Sequence, residues 1–85
     1  MSYRVDFTPS AARAFRKLDG SVQDQLTPKI NALSLNPRPH GVEKISGAAN
    51  RYRIRSGDYR VIYAIEDKLR LVVVAVIAHR REVYR

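Results

Sequence analysis

The residues of this chain that are best suited to chemistry are arginines, and those in the middle of the sequence follow a regular spacing. In RYRIR (residues 51–55) every second residue is an arginine, and a short turn, SGD, then leads to Arg60. If the flanking segments pair as a hairpin, Arg53 and Arg55 lie on one face with Arg60 beside them. Guanidinium groups bind phosphate through paired hydrogen bonds and remain charged. The spacing therefore indicates a phosphate-binding group.

A second interpretation of the same pattern remains open. Alternation is also typical of a half-exposed sheet whose polar face is only solvated. Side by side, however, the like charges of Arg53, Arg55 and Arg60 repel one another, and the neighbouring sequence supplies no carboxylate partner. A fold tolerates this arrangement more readily when an anion occupies the space between the guanidinium groups.

The end of the chain, HRREVYR (residues 79–85), adds groups that could move a proton. It directly follows the longest apolar run, residues 71–78. Arginine cannot act as a base, so proton transfer would fall to His79, Tyr84, Tyr59 or a lysine. Neighbouring guanidinium groups favour ionisation of a phenol, so Tyr84 could take a proton from a ribose 2′-OH. The alternative is that the Tyr84 ring only packs over the sheet edge.

The amino-acid composition limits the classes of partner and of reaction that fit this chain. Sixteen Lys and Arg residues against eight Asp and Glu residues give a formal net charge of +8, which is typical of a protein that binds a polyanion. The alternative is a cationic surface that serves solubility. There is no cysteine, and His40 and His79 lie far apart without carboxylates at ligand spacing. We also find no glycine-rich phosphate loop and no serine-nucleophile motif, so we expect no metal and no cofactor.

The chain length of 85 residues fits one small domain, residues 1–85. The N-terminal residues MSYRVDF contain no apolar signal-peptide core. The apolar run LVVVAVIA is much shorter than the roughly 20 residues that a membrane helix requires. We therefore expect a cytoplasmic protein that makes no membrane contact.

A strand followed by two helices is predicted for the first part of the chain. SYRVDFT (residues 2–8) alternates apolar and polar residues, as in a strand. Thr8, followed by a proline, is predicted to be the N-cap of a helix. This helix should end at Asp19–Gly20, and Ser21 should cap a second helix. Pro28 should kink that second helix or break it in two.

The second part of the chain is predicted to be rich in strands. After a loop, NPRPHG (residues 36–41), the segment VEKIS is a weak strand. RYRIR, YRVIYAIE and LRLVVVAVIAHR follow as successive strands, with turns at SGD and DK between them. The predicted fold class is α+β: an N-terminal strand, a two-helix hairpin and an antiparallel β-meander, with the helices on one face of the sheet.

These segments resemble a known family. YRIRSGDYRVIY, followed by a short hairpin and HRREVYR, is similar to the RelE/ParE superfamily of toxins from prokaryotic type II toxin–antitoxin modules, and closest to its RelE-type branch. The resemblance covers essentially the whole chain and implies a single RelE-like toxin domain with a microbial-ribonuclease-like sheet. The strand motif and the terminal EVY together are fairly specific, and either alone is weaker evidence.

The resemblance implies a function. RelE-type toxins enter the ribosomal A site and cleave messenger RNA, which inhibits translation. They use no metal, and a 2′-OH attacks the adjacent phosphate to leave a 2′,3′-cyclic phosphate. The implied partners are the ribosome, mRNA and an acidic RelB-like antitoxin, in a toxin–antitoxin hetero-oligomer. By position, the catalytic candidates are Arg53, Arg55, Arg60, Arg80 and Tyr84, and His79 is added to them because of its imidazole chemistry. The RNA-binding candidates are Arg51, Arg53, Arg55 and Arg81.

Some correspondences between the family's site residues and this chain stay open. The basic residue before the final tyrosine corresponds to Arg80 or to Arg81, because that segment varies in length. Some members carry lysines where this chain has Arg53 and Arg55, so here these two positions should grip phosphate and stabilise charge without moving a proton. His79 could share the acid–base work, because imidazole exchanges protons near neutrality. The competing functions are a ParE-type inhibitor of DNA gyrase and a non-catalytic RNA- or ribosome-binding protein.

Overall fold

The first part of the chain forms one strand and two helices. The structure, a computed structural model, describes residues 2–83. Its first elements are β1 (Arg4–Phe7), α1 (Pro9–Arg16) and α2 (Gly20–Ala32). The predicted cap of α1 is confirmed: the Thr8 hydroxyl accepts a hydrogen bond from the Ala11 N–H at 3.2 Å, and a proline begins the helix.

The junction between α1 and α2 differs from the prediction. α1 ends before Asp19, and Gly20 begins α2 instead of ending α1. Asp19, and not Ser21, is the N-cap of α2. Near the end of α1, the Phe15 carbonyl accepts a hydrogen bond from Gln23 Nε2 at 2.9 Å. The same carbonyl also accepts from the Leu18 N–H at 3.1 Å, so α1 can end without a left-handed glycine.

Pro28 does not break α2, which runs from Gly20 to Ala32 without interruption. A proline has no N–H, so the Asp24 carbonyl loses its helical partner. Asp24 and Pro28 are both exposed, and water can therefore hydrate that carbonyl. The buried residues of α2 are Leu26 and Ile30. They hold the helix to the core in spite of the missing bond.

The second part of the chain forms a meander of β2 (Glu43–Lys44), β3 (Arg51–Ser56), β4 (Tyr59–Glu66) and β5 (Leu71–His79), followed by α3 (Arg80–Val83). Successive strands pair antiparallel, as predicted. Between β3 and β4, Gly57 has a φ of 58°, which suits the first central position of a type II′ turn. Between β4 and β5, the predicted DK turn is instead a 3₁₀ turn, Asp67–Leu69, followed by Arg70 at a φ of 51°.

β1 extends the sheet on the far side of the meander. The strand order is β1-β5-β4-β3-β2, and β1 lies parallel to β5. The sheet is therefore mixed, whereas the sequence predicted only its antiparallel part. A parallel pair requires a long crossover connection, and here α1, α2 and the meander lie between the two strands. The predicted α+β class is confirmed.

One face of the sheet packs against α1 and α2. The buried apolar residues come from these helices and from that face: Ala11, Leu26, Ile30, Leu33, Ile54, Val61, Tyr63, Ile65, Val72, Val74 and Ile77. We call the opposite side of the sheet the open face. By strand alternation it carries Arg60, Ile62 and Ala64 of β4, because the core residues Val61, Tyr63 and Ile65 point to the helices. Among residues 2–83, no helix is long and apolar enough to cross a membrane.

A bulge in β5 shifts the alternation of that strand. Ala75 lies between the partners of two successive β4 residues and has no partner itself. Val74 before it and Ile77 after it are both buried in the core. Thr8 anchors the bulge, because its N–H donates to the Val74 carbonyl at 2.9 Å and its hydroxyl to the Ala75 carbonyl at 3.4 Å. Each residue after Ala75 therefore lies on the face opposite to the one that a regular strand would give it.

Candidate functional site

The hairpin of β3 and β4 gathers arginines on the open face. Arg55 and Arg60 are direct cross-strand partners. Arg53 lies two positions earlier on the same side of β3, opposite Ile62. Arg51 begins this row at the other end of the strand and is exposed. The structure thus brings together Arg53, Arg55 and Arg60, as the spacing predicted.

Arg60 is more enclosed than the sequence indicates. Alternation with the core residue Val61 predicts that Arg60 lies on the solvent side of its strand, but Arg60 is only 7% exposed. Its Nη1 donates to the Gly57 carbonyl at 3.2 Å and to the Tyr59 carbonyl at 3.1 Å. The guanidinium group therefore folds back over the hairpin turn, and the turn carbonyls hold it in place. Such a charge is preorganised, because its orientation is set before any ligand arrives.

Arg53 has a carboxylate partner that its local sequence did not reveal. Glu43, its cross-strand neighbour on β2, accepts a hydrogen bond from Arg53 Nη2 at 3.2 Å. The Arg53 side chain is 23% exposed, whereas that of Glu43 is 61% exposed. Strand pairing thus supplies Arg53 with a carboxylate that lies ten residues earlier in the chain. Glu43 orients this guanidinium group toward the edge of the sheet.

Arg55 and Arg60 differ from Arg53 in this respect. In the described part of the chain, neither forms an ion pair with a carboxylate. Their Cα atoms are direct cross-strand partners, so two like-charged side chains start from neighbouring positions on the open face. A phosphate group placed between them would relieve this repulsion and could accept several charge-assisted hydrogen bonds. The arrangement is suited to binding a phosphodiester and to stabilising extra negative charge on it.

Side chains from α2 hold the β3–β4 turn in position. Gln25 Nε2 donates to the carbonyl and hydroxyl oxygens of Ser56 at 2.9 and 3.0 Å. Lys29 Nζ donates to the Arg55 carbonyl at 3.4 Å. Gly57 suits this turn because of its positive φ, and a Cβ atom there would lie 2.8 Å from Gln25 Nε2, so Gln25 would have to shift. The turn that carries Arg60 is thus fixed to the helix layer.

His79 lies on the helix side of the sheet and not among the arginines. It pairs with Tyr59, and their rings make an edge-to-face contact with centroids 5.4 Å apart. Tyr59 packs against the core, and the bulge at Ala75 places His79 on the same side as the buried Ile77. Arg60 lies on the opposite side of β4. The structure therefore separates His79 from the arginine row that the sequence grouped with it.

Arg80 and Arg81 are the first residues of α3, and both are exposed. Asp58, in the hairpin turn, holds this segment: its carbonyl accepts a hydrogen bond from the Arg80 N–H at 2.6 Å. Its carboxylate lies 3.7 Å from Arg80 Nε. These contacts join the C-terminal segment to the turn that precedes Arg60. Tyr84 lies outside the described residues.

Three acidic residues at this site were missed by sequence reasoning. Glu43 and Asp58 reach the basic residues only through strand pairing and the hairpin turn, so no local signal identifies them. Glu82 accepts a hydrogen bond from the His79 N–H at 3.1 Å. Its position three residues after His79 is the spacing of a helix capping box, and this signal was available in the sequence.

Fold and site together define the class of protein, and comparisons with known proteins agree. A family profile described as "ParE toxin of type II toxin-antitoxin system, parDE" matches residues 5–84. The mRNA interferase toxin RelE of Escherichia coli (strain K12) is 34% identical over 84 residues, which cover 96% of this chain and 86% of that protein. Toxin RelG of Mycobacterium tuberculosis is 31% identical over 86 residues, which cover 100% of this chain and 99% of that one.

A solved structure supports the same assignment. A chain of the intact E. coli RelBE toxin–antitoxin complex matches with a TM-score of 0.80 and 32% identity, over 91% of this chain and 95% of that chain. The protein described here therefore belongs to the ParE/RelE family of toxins of type II toxin–antitoxin systems. Within that family it is a toxin of the RelE type.

Proposed function

We propose that this toxin is a cytoplasmic, ribosome-dependent endoribonuclease that cleaves mRNA in the ribosomal A site without a metal or a cofactor. The observation that carries the proposal is the cross-strand pair of Arg55 and Arg60, which has no carboxylate partner in the described part of the chain. The similarity to a protein named as an mRNA interferase supports the same conclusion.

In the proposed reaction, the 2′-oxygen of a ribose attacks the adjacent phosphorus and loses its proton. The bond from phosphorus to the 5′-oxygen breaks, and that oxygen gains a proton. The products are a 2′,3′-cyclic phosphate and a 5′-hydroxyl, so atoms and charges balance without an external reactant. The enzyme must hold the phosphate, stabilise its extra negative charge in the transition state and move a proton.

The arginines divide the first two tasks. Arg53 and Arg55, with Arg51 and Arg81 at the margins, hold the RNA backbone. Arg60, which the turn carbonyls fix in orientation, stabilises the charge that develops on the phosphate. Since a guanidinium group does not release its proton, none of these residues acts as the base.

The C-terminal segment supplies the remaining groups. Arg80 adds positive charge beside the reacting phosphate. Tyr84 takes the proton from the 2′-OH through its phenol. Asp58 supports this assignment, because it fixes the start of the C-terminal segment at the turn next to Arg60.

The proposed partner is an acidic, RelB-like antitoxin that covers the arginine face in a hetero-oligomer. The formal net charge of +8 favours an acidic partner. The similarity to a toxin solved in the RelBE complex points the same way. Coexpression of the neighbouring antitoxin gene should relieve the growth arrest that the toxin causes. A chain that is harmless when it is expressed alone in bacteria would contradict the toxin function.

A second candidate function, inhibition of DNA gyrase, is favoured by the ParE description of the matching profile. One experiment separates the candidates. The protein is incubated with programmed ribosomes, the ends of the message are mapped, and gyrase supercoiling is measured in parallel. Cleavage within the A-site codon with active gyrase supports the endoribonuclease. Inhibited gyrase with intact message supports the ParE-type function, and ribosome binding without either effect indicates a non-catalytic binder.

A further inference from the structure

His79 precedes α3 and makes two hydrogen bonds to residues of that helix. Its ring Nδ1 accepts a hydrogen bond from the Arg81 N–H at 3.3 Å. Its own N–H donates to Glu82 Oε1 at 3.1 Å. Glu82 takes the place of the acidic residue in a capping box, three positions after the N-cap, but the N-cap side chain bonds the N–H of the second helical residue, Arg81, instead of that of the third. Here a histidine takes the place that serine or threonine usually holds.

The surroundings of the His79 ring fix its orientation. Because Nδ1 accepts a hydrogen bond, the proton of the neutral ring lies on Nε2, which is 4.0 Å from Asp58 Oδ2. The Tyr59 ring packs edge to face against the imidazole. Nδ1 thus accepts a hydrogen bond from the helix backbone, and Nε2 faces Asp58, whose carbonyl accepts the hydrogen bond from the Arg80 N–H.

We propose that His79 is a positioning residue that caps α3 and so aims the C-terminal segment at the bound RNA. The cap sets the direction in which Arg80 and Arg81 leave the sheet. This inference rests on the proposed endoribonuclease activity for its catalytic consequence. The hydrogen bonds of the cap are independent of that activity.

This role is different from the proton transfer that imidazole chemistry first suggests. A proton-transfer group must reach a reacting oxygen directly or through one water. The His79 ring instead lies on the helix side of the sheet, and its Nδ1 is already bonded to the Arg81 N–H. Arg55 and Arg60, the proposed phosphate ligands, lie on the open face. His79 therefore acts through the residues that it orients.

The first arm of the test measures the cap without any cleavage. Solvent exchange of the Arg81 backbone N–H is followed by NMR in the full chain. His79→Ala should speed this exchange roughly 3- to 30-fold, the size expected when a helix loses its N-cap. His79→Asn should restore protection, because the Asn oxygen can take the position of Nδ1 and Asn is a favourable N-cap. Equal exchange rates in the wild type and His79→Ala would overturn the proposal.

The second arm measures single-turnover cleavage on programmed ribosomes. His79→Ala should lower the rate at least about 10-fold with little change in ribosome affinity, and His79→Asn should recover most of that loss. If His79 moved the proton itself, Asn would fail as badly as Ala, by about 10²–10⁴-fold. That outcome would overturn the positioning role.

Glu82 gives the matched variant for the other half of the box. Glu82→Ala should lower cleavage in the same direction as His79→Ala, and the double variant should lose less than the sum of the two free-energy changes. Strict additivity would contradict a shared cap. If the wild type cleaved no message, the endoribonuclease proposal and the catalytic consequence of the cap would both fall. The exchange difference would still establish the cap.

Discussion

Arg60 and Arg38 lie near opposite ends of β4, but of these two only Arg38, at the end that leads into β5, forms an ion pair with a carboxylate among the described residues. There, Arg38 donates from Nη1 and Nη2 to both oxygens of Asp67, at 3.2 and 2.9 Å. The Tyr3 hydroxyl donates to the same carboxylate at 2.7 Å. We call Tyr3, Arg38 and Asp67 the clamp. It joins the N-terminus, the loop of residues 36–41 and the β4–β5 turn.

The clamp changes the ionisation of its members. Hydrogen bonds from Arg38 and Tyr3 hold the pKa of the Asp67 carboxyl at about 2. The bond to Asp67 in turn raises the pKa of Arg38 and that of the Tyr3 phenol. Close by, burial raises the pKa of Tyr63 to about 12, and its hydroxyl donates to the Pro37 carbonyl at 2.7 Å. At this end, each of these polar groups has a partner within the chain.

At the turn end of β4, the same residue types are used differently. Arg55 and Arg60 face each other without forming an ion pair among the described residues. Among residues 2–83, the hydrogen-bond partners of the Arg60 side chain are backbone carbonyls. The comparison shows that a buried or half-buried arginine is a candidate ligand group when its orientation is fixed but its charge is not neutralised. Arg38 meets the first condition and fails the second.

The largest expected effect is on the cleavage rate, and it tests whether the surface at the turn end of β4 belongs to an active site or only binds RNA. Tyr84→Phe keeps the aromatic ring and removes the phenolic hydroxyl. If the phenol moves a proton, single-turnover cleavage should fall about 10²–10⁴-fold. Ribosome affinity should barely change, because the arginines remain. If the ring only stacks, Phe should work nearly as well as Tyr and only Tyr84→Ala should fail.

The next largest effect comes from replacing Arg60 at the turn end of β4, and it is compared with the loss of Arg38 at the other end. Arg60→Ala should lower the cleavage rate about 10²–10³-fold, because a preorganised charge is lost. It should also lower the free energy of unfolding by about 1–3 kcal/mol, since two bonds from a charged donor are removed. Arg38→Ala is the matched control, and it should weaken the fold while folded protein still cleaves. An Arg60→Ala protein that melts early yet cleaves normally would make Arg60 purely structural.

A smaller effect concerns salt. Contact with four to six phosphates of single-stranded RNA should give a log–log slope of affinity against salt of roughly −3 to −4. Arg55→Ala should reduce this slope by about 0.7, the share of one phosphate contact. Arg38→Ala should leave it unchanged, because the Arg38 charge is already paired within the chain. A flat salt response of the wild type would remove the case for a polyanionic ligand.

The smallest effect belongs to the clamp and to acidic pH. Because folding lowers the pKa of Asp67 from 3.8 to about 2, its ionised form stabilises the fold above about pH 4, and this contribution disappears as the pH falls through about 2. Asp67→Asn should therefore destabilise the protein at neutral pH and match the wild type near pH 2. Denaturant unfolding between pH 7 and pH 2 measures this difference. In an Arg38→Ala background, Asp67→Asn should have a smaller effect at neutral pH, and an undiminished effect would contradict the coupling.

Much of the local structure could be predicted from the sequence, because its signals act over a few residues. Thr8 before a proline has one good use, as a helix cap. The SGD turn sets the register that places Arg55 opposite Arg60. The family and its RelE type followed from motifs in the same segments. The end of α1 was missed because Gln23, a residue of the next helix, satisfies one of its last carbonyls.

Only the tertiary structure decided which face each C-terminal group occupies. β5 is apolar on both faces, so its sequence LVVVAVIA contains no alternation that could reveal the bulge at Ala75. The bulge depends on Thr8, which is distant in sequence and bonds the Ala75 carbonyl. It moves His79 to the helix side and away from Arg60. Composition and spacing thus determined which residues are candidates for binding RNA. Strand pairing and the unpaired Ala75 decided which of these residues lie on the same face of the sheet. The reason is that a shift of one residue in a strand moves every later side chain to the opposite face.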